Sequence, residues 1–174
     1  MCYLNSKDGP NFHWHDLLVE ANGMVFDLLV FGVLLSIYES LRSKNERIER
    51  FKEEIDDYRG WDEKEAAYRI AGVIKRLNKE NINSINLDDC YLPFANLSEV
   101  NLKDSHLVDT NLSNADLPGS NISNGEMIRT NFIKANLSKS NLTRANLYQV
   151  NLMGAIMKDT DLSKAYLKKV NLRE

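Results

Sequence analysis

The sequence is poor in the residues that usually build disulfide frameworks and metal sites. It contains two cysteines, three histidines and three prolines in 174 residues. Cys2 and Cys90 lie far apart and belong to no paired motif, which excludes a disulfide framework and fits a reducing cytoplasm. His13 and His15 are two positions apart and would not share a helix face, so no metal site is predicted.

Motifs of enzymes are missing as well. The sequence has no glycine-rich phosphate loop, no nucleophile elbow and no HExxH motif. We therefore expect a protein that is not an enzyme and that uses no cofactor. The net charge of −3 gives no overall attraction to nucleic acid.

A five-residue repeat fills the second half of the sequence. From Ile82 to Leu172 every fifth residue is apolar, without a break in register. The residue two positions earlier is mostly small, and the residue between them is mostly Asn or Asp. This period matches neither a helix nor a strand. One large and one small inward residue in every five predict a narrow coil packed from inside, with Asn favouring a turn at each corner.

This pattern resembles the pentapeptide-repeat family, whose consensus is A(D/N)LXX, over residues 81–174. The resemblance implies a mainly β fold, a right-handed quadrilateral β-helix of about four and a half coils. It also implies that residues twenty positions apart stack on one side of the solenoid. Gly125 departs from the consensus beside the bulkier Met127 and Phe132, which indicates volume compensation in a close-packed interior.

The stacking predicts one apolar surface on otherwise polar walls. Large contiguous apolar patches usually mark a binding partner, whereas scattered surface hydrophobes need no explanation. We expect the first case, with an unidentified protein as the partner. The predicted partner-binding residues are Val108, Ile128, Ile133, Tyr148 and Met153.

Charge is divided along the repeats. The charged residues in 81–126 are almost all acidic, whereas the charged residues in 127–174 are mostly basic. This division indicates either head-to-tail attraction or an uneven distribution on a solvated surface. A charge girdle is predicted around one coil, formed by Arg129, Lys134, Lys139 and Arg144.

The charge also bears on a second function implied by the resemblance. Some pentapeptide-repeat proteins bind DNA gyrase, a type II topoisomerase, by imitating the shape and negative charge of duplex DNA. The repeats of this chain are acidic only in their first half, which weighs against that alternative. Direct nucleic-acid binding is not favoured either, because no aromatic stacking platform lies near the basic residues.

Three segments are expected: an N-terminal helix over 1–60, a capping helix over 61–80 and the solenoid over 81–174. Residues 30–58 show a heptad pattern with one polar position, Lys44. It predicts a parallel homo-oligomer; the alternative is one amphipathic helix folded back on the capping helix. The predicted oligomer seam is Val30, Leu34, Ile37, Leu41, Ile48, Phe51 and Ile55.

The stretch 17–38 is the most apolar part of the chain and has the length of a membrane span. Glu20 and Asp27 would be costly there unless they face a partner or water. Both acids share the helix face that continues into the seam. We therefore expect Glu20 and Asp27 to lie within the membrane or between neighbouring helices. A soluble buried helix is the alternative.

Together these patterns predict a non-enzymatic interaction scaffold. An oligomeric N-terminal helix would hold the solenoid at the cytoplasmic face of a bacterial inner membrane and present it to a protein partner. Binding to a type II topoisomerase is the alternative function.

Overall fold

The computed structural model describes residues 14–173, with their side chains from residue 22 onward. Helix α1 spans Trp14–Asp57 and helix α2 spans Lys64–Lys79. The described residues contain two regular strands, β1 Asn146–Tyr148 and β2 Tyr166–Lys168, which pair in parallel. The chain forms two compact units that divide between Glu46 and Arg47, inside α1.

Backbone hydrogen bonds between successive coils build the solenoid, and they make residues twenty positions apart bridge partners. Single parallel bridges join Asn86 to His106 and His106 to Glu126, and the same step recurs along residues 86–171. Regular strands are short because a turn interrupts the chain in every pentapeptide. In the first turn the Cys90 amide donates to the Leu87 carbonyl over 3.1 Å. The fold is thus a β-helix with little regular strand, and its coil count and handedness stay predictions.

The second turn position adopts the left-handed conformation in nearly every repeat. Asp89 has φ 58°, Asn114 has φ 56° and Lys139 has φ 59°. L-residues other than Asn, Asp and Gly rarely adopt this conformation, because Cβ crowds the backbone. The repeated ladder hydrogen bonds hold each corner in place, which explains why Lys and Arg are accepted there.

The interior consists of stacked apolar side chains with few polar groups. The central residues of the pentapeptides, such as Leu87 and Phe132, are fully buried. Thr110 and Thr130 lie among them, and their hydroxyls donate to the carbonyls of Leu87 and Leu107 over 2.7 and 2.6 Å. These hydrogen bonds remove the cost of burying a hydroxyl, so Thr can replace Ala in the interior.

Helix α2 covers the first coil of the solenoid. Its face with Ile70, Val73, Ile74 and Leu77 is buried in the same core cluster as Leu87. The Asn78 side chain also accepts from the Asn101 amide over 2.8 Å and donates to the Asn101 carbonyl over 2.7 Å. Apolar burial and these two hydrogen bonds together close the N-terminal end of the ladder.

The last three turns of α1 belong to this core, which corrects part of the oligomer seam. Ile48 and Ile55 are buried there, and Phe51 packs against them partly buried. Arg76 of α2 lies 4.7 Å from the Phe51 ring centroid. These three residues form an intrachain contact between α1 and the capped solenoid, which was the alternative interpretation of the heptad pattern.

Arg59 caps the exposed carbonyl edge of the first coil. Its guanidinium donates to the carbonyl of Asp88 and to the carbonyl of Asn86 over 3.3 Å. Asp56 holds the same group through an ion pair of 2.6 Å. The carbonyls at this edge have no earlier coil to accept from, so the guanidinium takes the place of a missing strand.

Gly125→Ala should destabilise the protein. A Cβ at Gly125 would lie 3.0 Å from the Ile122 carbonyl oxygen and 3.1 Å from its side chain. We expect the free energy of unfolding to fall by about 1–3 kcal/mol, the usual cost of overpacking. Chemical denaturation followed by circular dichroism measures this free energy in both variants and in the unsubstituted protein. The matched control is Gly72→Ala, at an uncrowded helical position, which should stabilise by about 0.5–1 kcal/mol. Equal effects of both substitutions would contradict the packing argument.

Arg59→Met should lower stability by removing the hydrogen bonds to the coil edge while keeping an apolar stem. We expect a loss of about 1–3 kcal/mol, because the half-buried Asp88 carbonyl and the exposed Asn86 carbonyl lose their charged donor. Arg144→Met is the control, since the Arg144 side chain is exposed and makes no hydrogen bond within residues 14–173, where only its backbone amide donates, to the Ser163 carbonyl. The same denaturation experiment compares them. Indistinguishable midpoints would show that Arg59 does not cap the edge.

Candidate protein-binding surfaces

The predicted partner-binding residues lie in two neighbouring columns of turn residues. Val108, Ile128 and Tyr148 form one column: the Asp109 amide donates to the Ile128 carbonyl and the Arg129 amide to the Tyr148 carbonyl, each over 2.9 Å. All three side chains are half-buried. The column therefore presents apolar surface without entering the core.

Ile133 and Met153 form the second column, one corner further along the chain. The Lys134 amide donates to the Met153 carbonyl over 2.9 Å, which fixes the stacking. Met153 is 36% exposed and Ile133 is half-buried. The structure thus stacks the residues within each column as the twenty-residue spacing predicts. That these columns bind a partner stays a prediction.

The four girdle residues differ in their surroundings. Arg129 forms an ion pair with Asp109, with 2.6 Å between Nε and Oδ1, and this hydrogen bond lowers the pKa of Asp109. Lys134, Lys139 and Arg144 are exposed and make no ion pair within residues 14–173. Three of the four charges are therefore free to attract an acidic surface.

Tyr148 has basic neighbours that the sequence analysis missed. Lys168 and Lys169 place their Nζ atoms 6.0 and 5.6 Å from the Tyr148 ring centroid. Cations within about 6 Å of an aromatic face are attracted by its quadrupole. The signal was present in the sequence as a spacing of twenty and twenty-one residues, which becomes meaningful only once the stacking is known.

Residues 22–41 of α1 form an apolar stretch with exposed side chains. Val30, Leu34, Ile37 and Leu41 of the predicted seam are each exposed by more than two fifths. Asp27 is also exposed, whereas the side chain of Glu20 lies outside the described residues. By length and composition the helix could cross a membrane, and none of its most apolar window is buried within the chain.

A cavity of about 310 Å³ lies between the end of α1 and the first coil. Its floor is apolar, with Ile55 and Ile85, and its rim carries Lys52, Asp56 and His106. The charges on the rim are of both signs, so they favour no single ligand charge. Within the described part of the chain no three His, Cys, Asp or Glu residues lie close enough to hold a metal ion.

Comparisons with solved structures place this solenoid among known proteins. It is similar to the pentapeptide repeat protein Rfr23 from the cyanobacterium Cyanothece 51142, at 31% identity and a TM-score of 0.50, covering 51% of this chain and 60% of that one. HetL of Nostoc sp. strain PCC 7120, a pentapeptide repeat protein involved in heterocyst differentiation regulation, is 25% identical with a TM-score of 0.27, covering 51% and 49%.

The fluoroquinolone resistance protein QnrB1 is 19% identical with a TM-score of 0.34, covering 50% of this chain and 57% of that one. The matched region spans less than two thirds of each of these proteins. No curated protein matches the chain.

The family assignment follows from the repeats themselves. The sequence model of pentapeptide repeats matches in eight copies, over residues 85–124, 95–132, 127–159 and 135–174. These ranges cover the solenoid and more than half of the chain. The resemblance noted in the sequence is thereby confirmed: the chain belongs to the pentapeptide repeat family.

Proposed function

We propose that this protein is a non-enzymatic interaction scaffold that a membrane-embedded helix holds at a bacterial inner membrane. The observation that carries the proposal is the exposed apolar stretch of α1 over residues 22–41. Large apolar side chains surround it on every side, including Phe26, Leu28, Phe31 and Leu35. An apolar helix exposed to water would be unfavourable, whereas the bilayer interior removes that cost.

The charges after the apolar segment support a cytoplasmic solenoid. Four basic residues follow Leu41, the end of the exposed apolar stretch, within three helical turns: Arg42, Lys44, Arg47 and Arg50. Basic residues beside a span favour the cytoplasmic side. Oligomerisation of the anchors would use Val30, Leu34, Ile37 and Leu41 and would shield Asp27 from lipid, because these residues share one helix face.

The solenoid supplies the binding surface in this proposal. Its inward positions maintain the fold, and its turn positions vary without disturbing the interior. The two apolar columns, with Ile128 at the centre of one, offer a contact for a protein partner, and the free bases of the girdle would speed its approach. The topoisomerase alternative has less support, because a surface imitating DNA would be acidic along its whole length.

Membrane anchoring predicts that alkaline carbonate will not release the full chain from membranes. Deletion of residues 1–46 should release the solenoid, because the compact unit begins at Arg47. Leu28→Arg together with Leu35→Arg should also release the chain, since each arginine costs about 2.5–3.5 kcal/mol in a span. Ser98→Arg with Ser138→Arg, in solenoid turns, is the matched control and should stay bound. A full chain found entirely in the soluble fraction would refute anchoring.

The binding surface is tested by Ile128→Asp. A carboxylate at the centre of an apolar contact should lower capture of the partner roughly tenfold or more, as loss of a central contact residue usually does. Ser138→Asp, at the same turn position on another corner, is the control and should capture normally. Affinity capture after chemical crosslinking, read by mass spectrometry, compares them. Retained capture by Ile128→Asp would overturn this surface, and capture of DNA gyrase by that variant would favour the topoisomerase alternative.

A further inference from the structure

One corner of the solenoid carries acids, apolar residues and bases in order along its length. We call it the graded corner. Its first turn positions are Asp88, Val108, Ile128, Tyr148 and Lys168, and its second are Asp89, Asp109, Arg129, Gln149 and Lys169. Hydrogen bonds stack these rows from the Asp89 amide to the Val108 carbonyl, and so on to the Gln149 amide and the Lys168 carbonyl.

We propose that the graded corner binds the graded corner of a second copy of this chain, with the two solenoids antiparallel. The two-fold axis runs along the middle row, at Ile128. Such an axis reverses the order of rows and keeps each turn position opposite the same turn position. Each row of the graded corner therefore faces the row that occupies the mirrored place in the order on the second copy, as a self-complementary dimer interface requires.

The reversed rows are complementary at every first turn position. Asp88 meets Lys168 at each end, Val108 meets Tyr148, and Ile128 meets its own copy. The rows are roughly 4.8 Å apart in a β-ladder, so both partners keep the same spacing over the five rows. Apolar contacts therefore fill the centre, and opposite charges flank them.

The second turn positions add a further ionic contact. Asp89 and Lys169 are both exposed and stand opposite each other after reversal. Arg129 meets its own copy near the axis, which would repel if the charges were bare. Each Arg129 is already paired with Asp109 of its own chain, which weakens that repulsion.

The order of charge and apolar surface is specific to this corner. The next corner has Phe94, Ile133, Met153 and Arg173 but no acid among its described residues. The corner with Glu99, Lys139 and Lys158 has no large apolar residue at its turn positions. The charge complementarity thus selects the graded corner and a second copy as its occupant.

This inference rests on the proposed function, because it names the partner of the same apolar surface. A single corner buries little area, less than a standard stable interface. We therefore expect weak, concentration-dependent pairing, which dense packing on a membrane would strengthen by raising the local concentration.

Single cysteines test the antiparallel register in the full chain, purified in mild detergent. Cys2, outside the described residues, is replaced by serine. Cys90 can stay, because it is buried and desolvation raises its pKa to about 12. Under mild oxidation Ile128→Cys should form a disulfide-linked dimer, since residues on the axis approach closely. Val108→Cys and Tyr148→Cys should not crosslink alone but should crosslink when mixed.

Charge exchange tests the ionic contact in the Ile128→Cys background. Asp89→Lys and Lys169→Asp should each lower the dimer yield about tenfold at low salt, and both together in one chain should restore it. Both positions have φ 58°, and the chain places Asp and Lys alike at such positions, so the fold should tolerate the exchange. Unchanged yields in both single variants would overturn the ionic contact and with it the proposed pairing.

Other outcomes separate this inference from the proposed function. Like-with-like crosslinking of Val108→Cys would indicate parallel solenoids and overturn the antiparallel pairing. Absence of every crosslink, together with capture of another protein that Ile128→Asp abolishes, would overturn self-pairing and leave the scaffold proposal intact. If substitutions at the graded corner change neither the capture of a partner nor the crosslinking yield, both the self-pairing and the proposed binding surface are overturned.

Discussion

Every other feature of the solenoid depends on one interaction, the backbone hydrogen bonding between successive coils, in which residues twenty positions apart are parallel bridge partners. It recurs from the first coil to the last, as in the amide of Leu87 with the carbonyl of His106 over 2.8 Å and the amide of Leu152 with that of Asn171 over 2.8 Å. Because its register never slips, the column that a residue occupies follows from its number alone. Inward positions then have to fill a narrow interior, and turn positions remain free to vary.

A ladder of this kind is satisfied internally but not at its ends. The first coil has carbonyls and amides with no earlier coil to pair with, and these groups require a cover. Helix α2, the end of α1 and the guanidinium of Arg59 supply it. Because the first coil requires a cover, the two parts of α1 have different environments. Residues from Arg47 onward belong to the capped solenoid, whereas the preceding apolar residues remain exposed.

The same division separates stability from function. The interior holds apolar side chains and a few hydroxyls, most of them hydrogen-bonded, which leaves little room for a reactive group there. Surface chemistry is therefore arranged in columns and corners rather than in a deep pocket. On such a surface a binding property comes from the order of residues along a column, as the graded corner illustrates with its acids, apolar centre and bases. The exposed helix adds a second surface, which we propose lies in a bilayer.

The sequence alone determined the repeat and its frame, because a period of five leaves two inward positions in each pentapeptide whatever else varies. The stacking of residues such as Val108 and Ile128 was implied by the family resemblance, and the structure bears it out. It also indicated a capping helix beside the first coil. Only the tertiary structure decided that Ile48, Phe51 and Ile55 pack within the chain, since a heptad stripe looks the same whether its partner is a copy or a neighbouring helix. It likewise revealed Arg59 at the coil edge and the lysines beside Tyr148. Those contacts join residues distant in sequence, and no local pattern encodes which distant groups will meet.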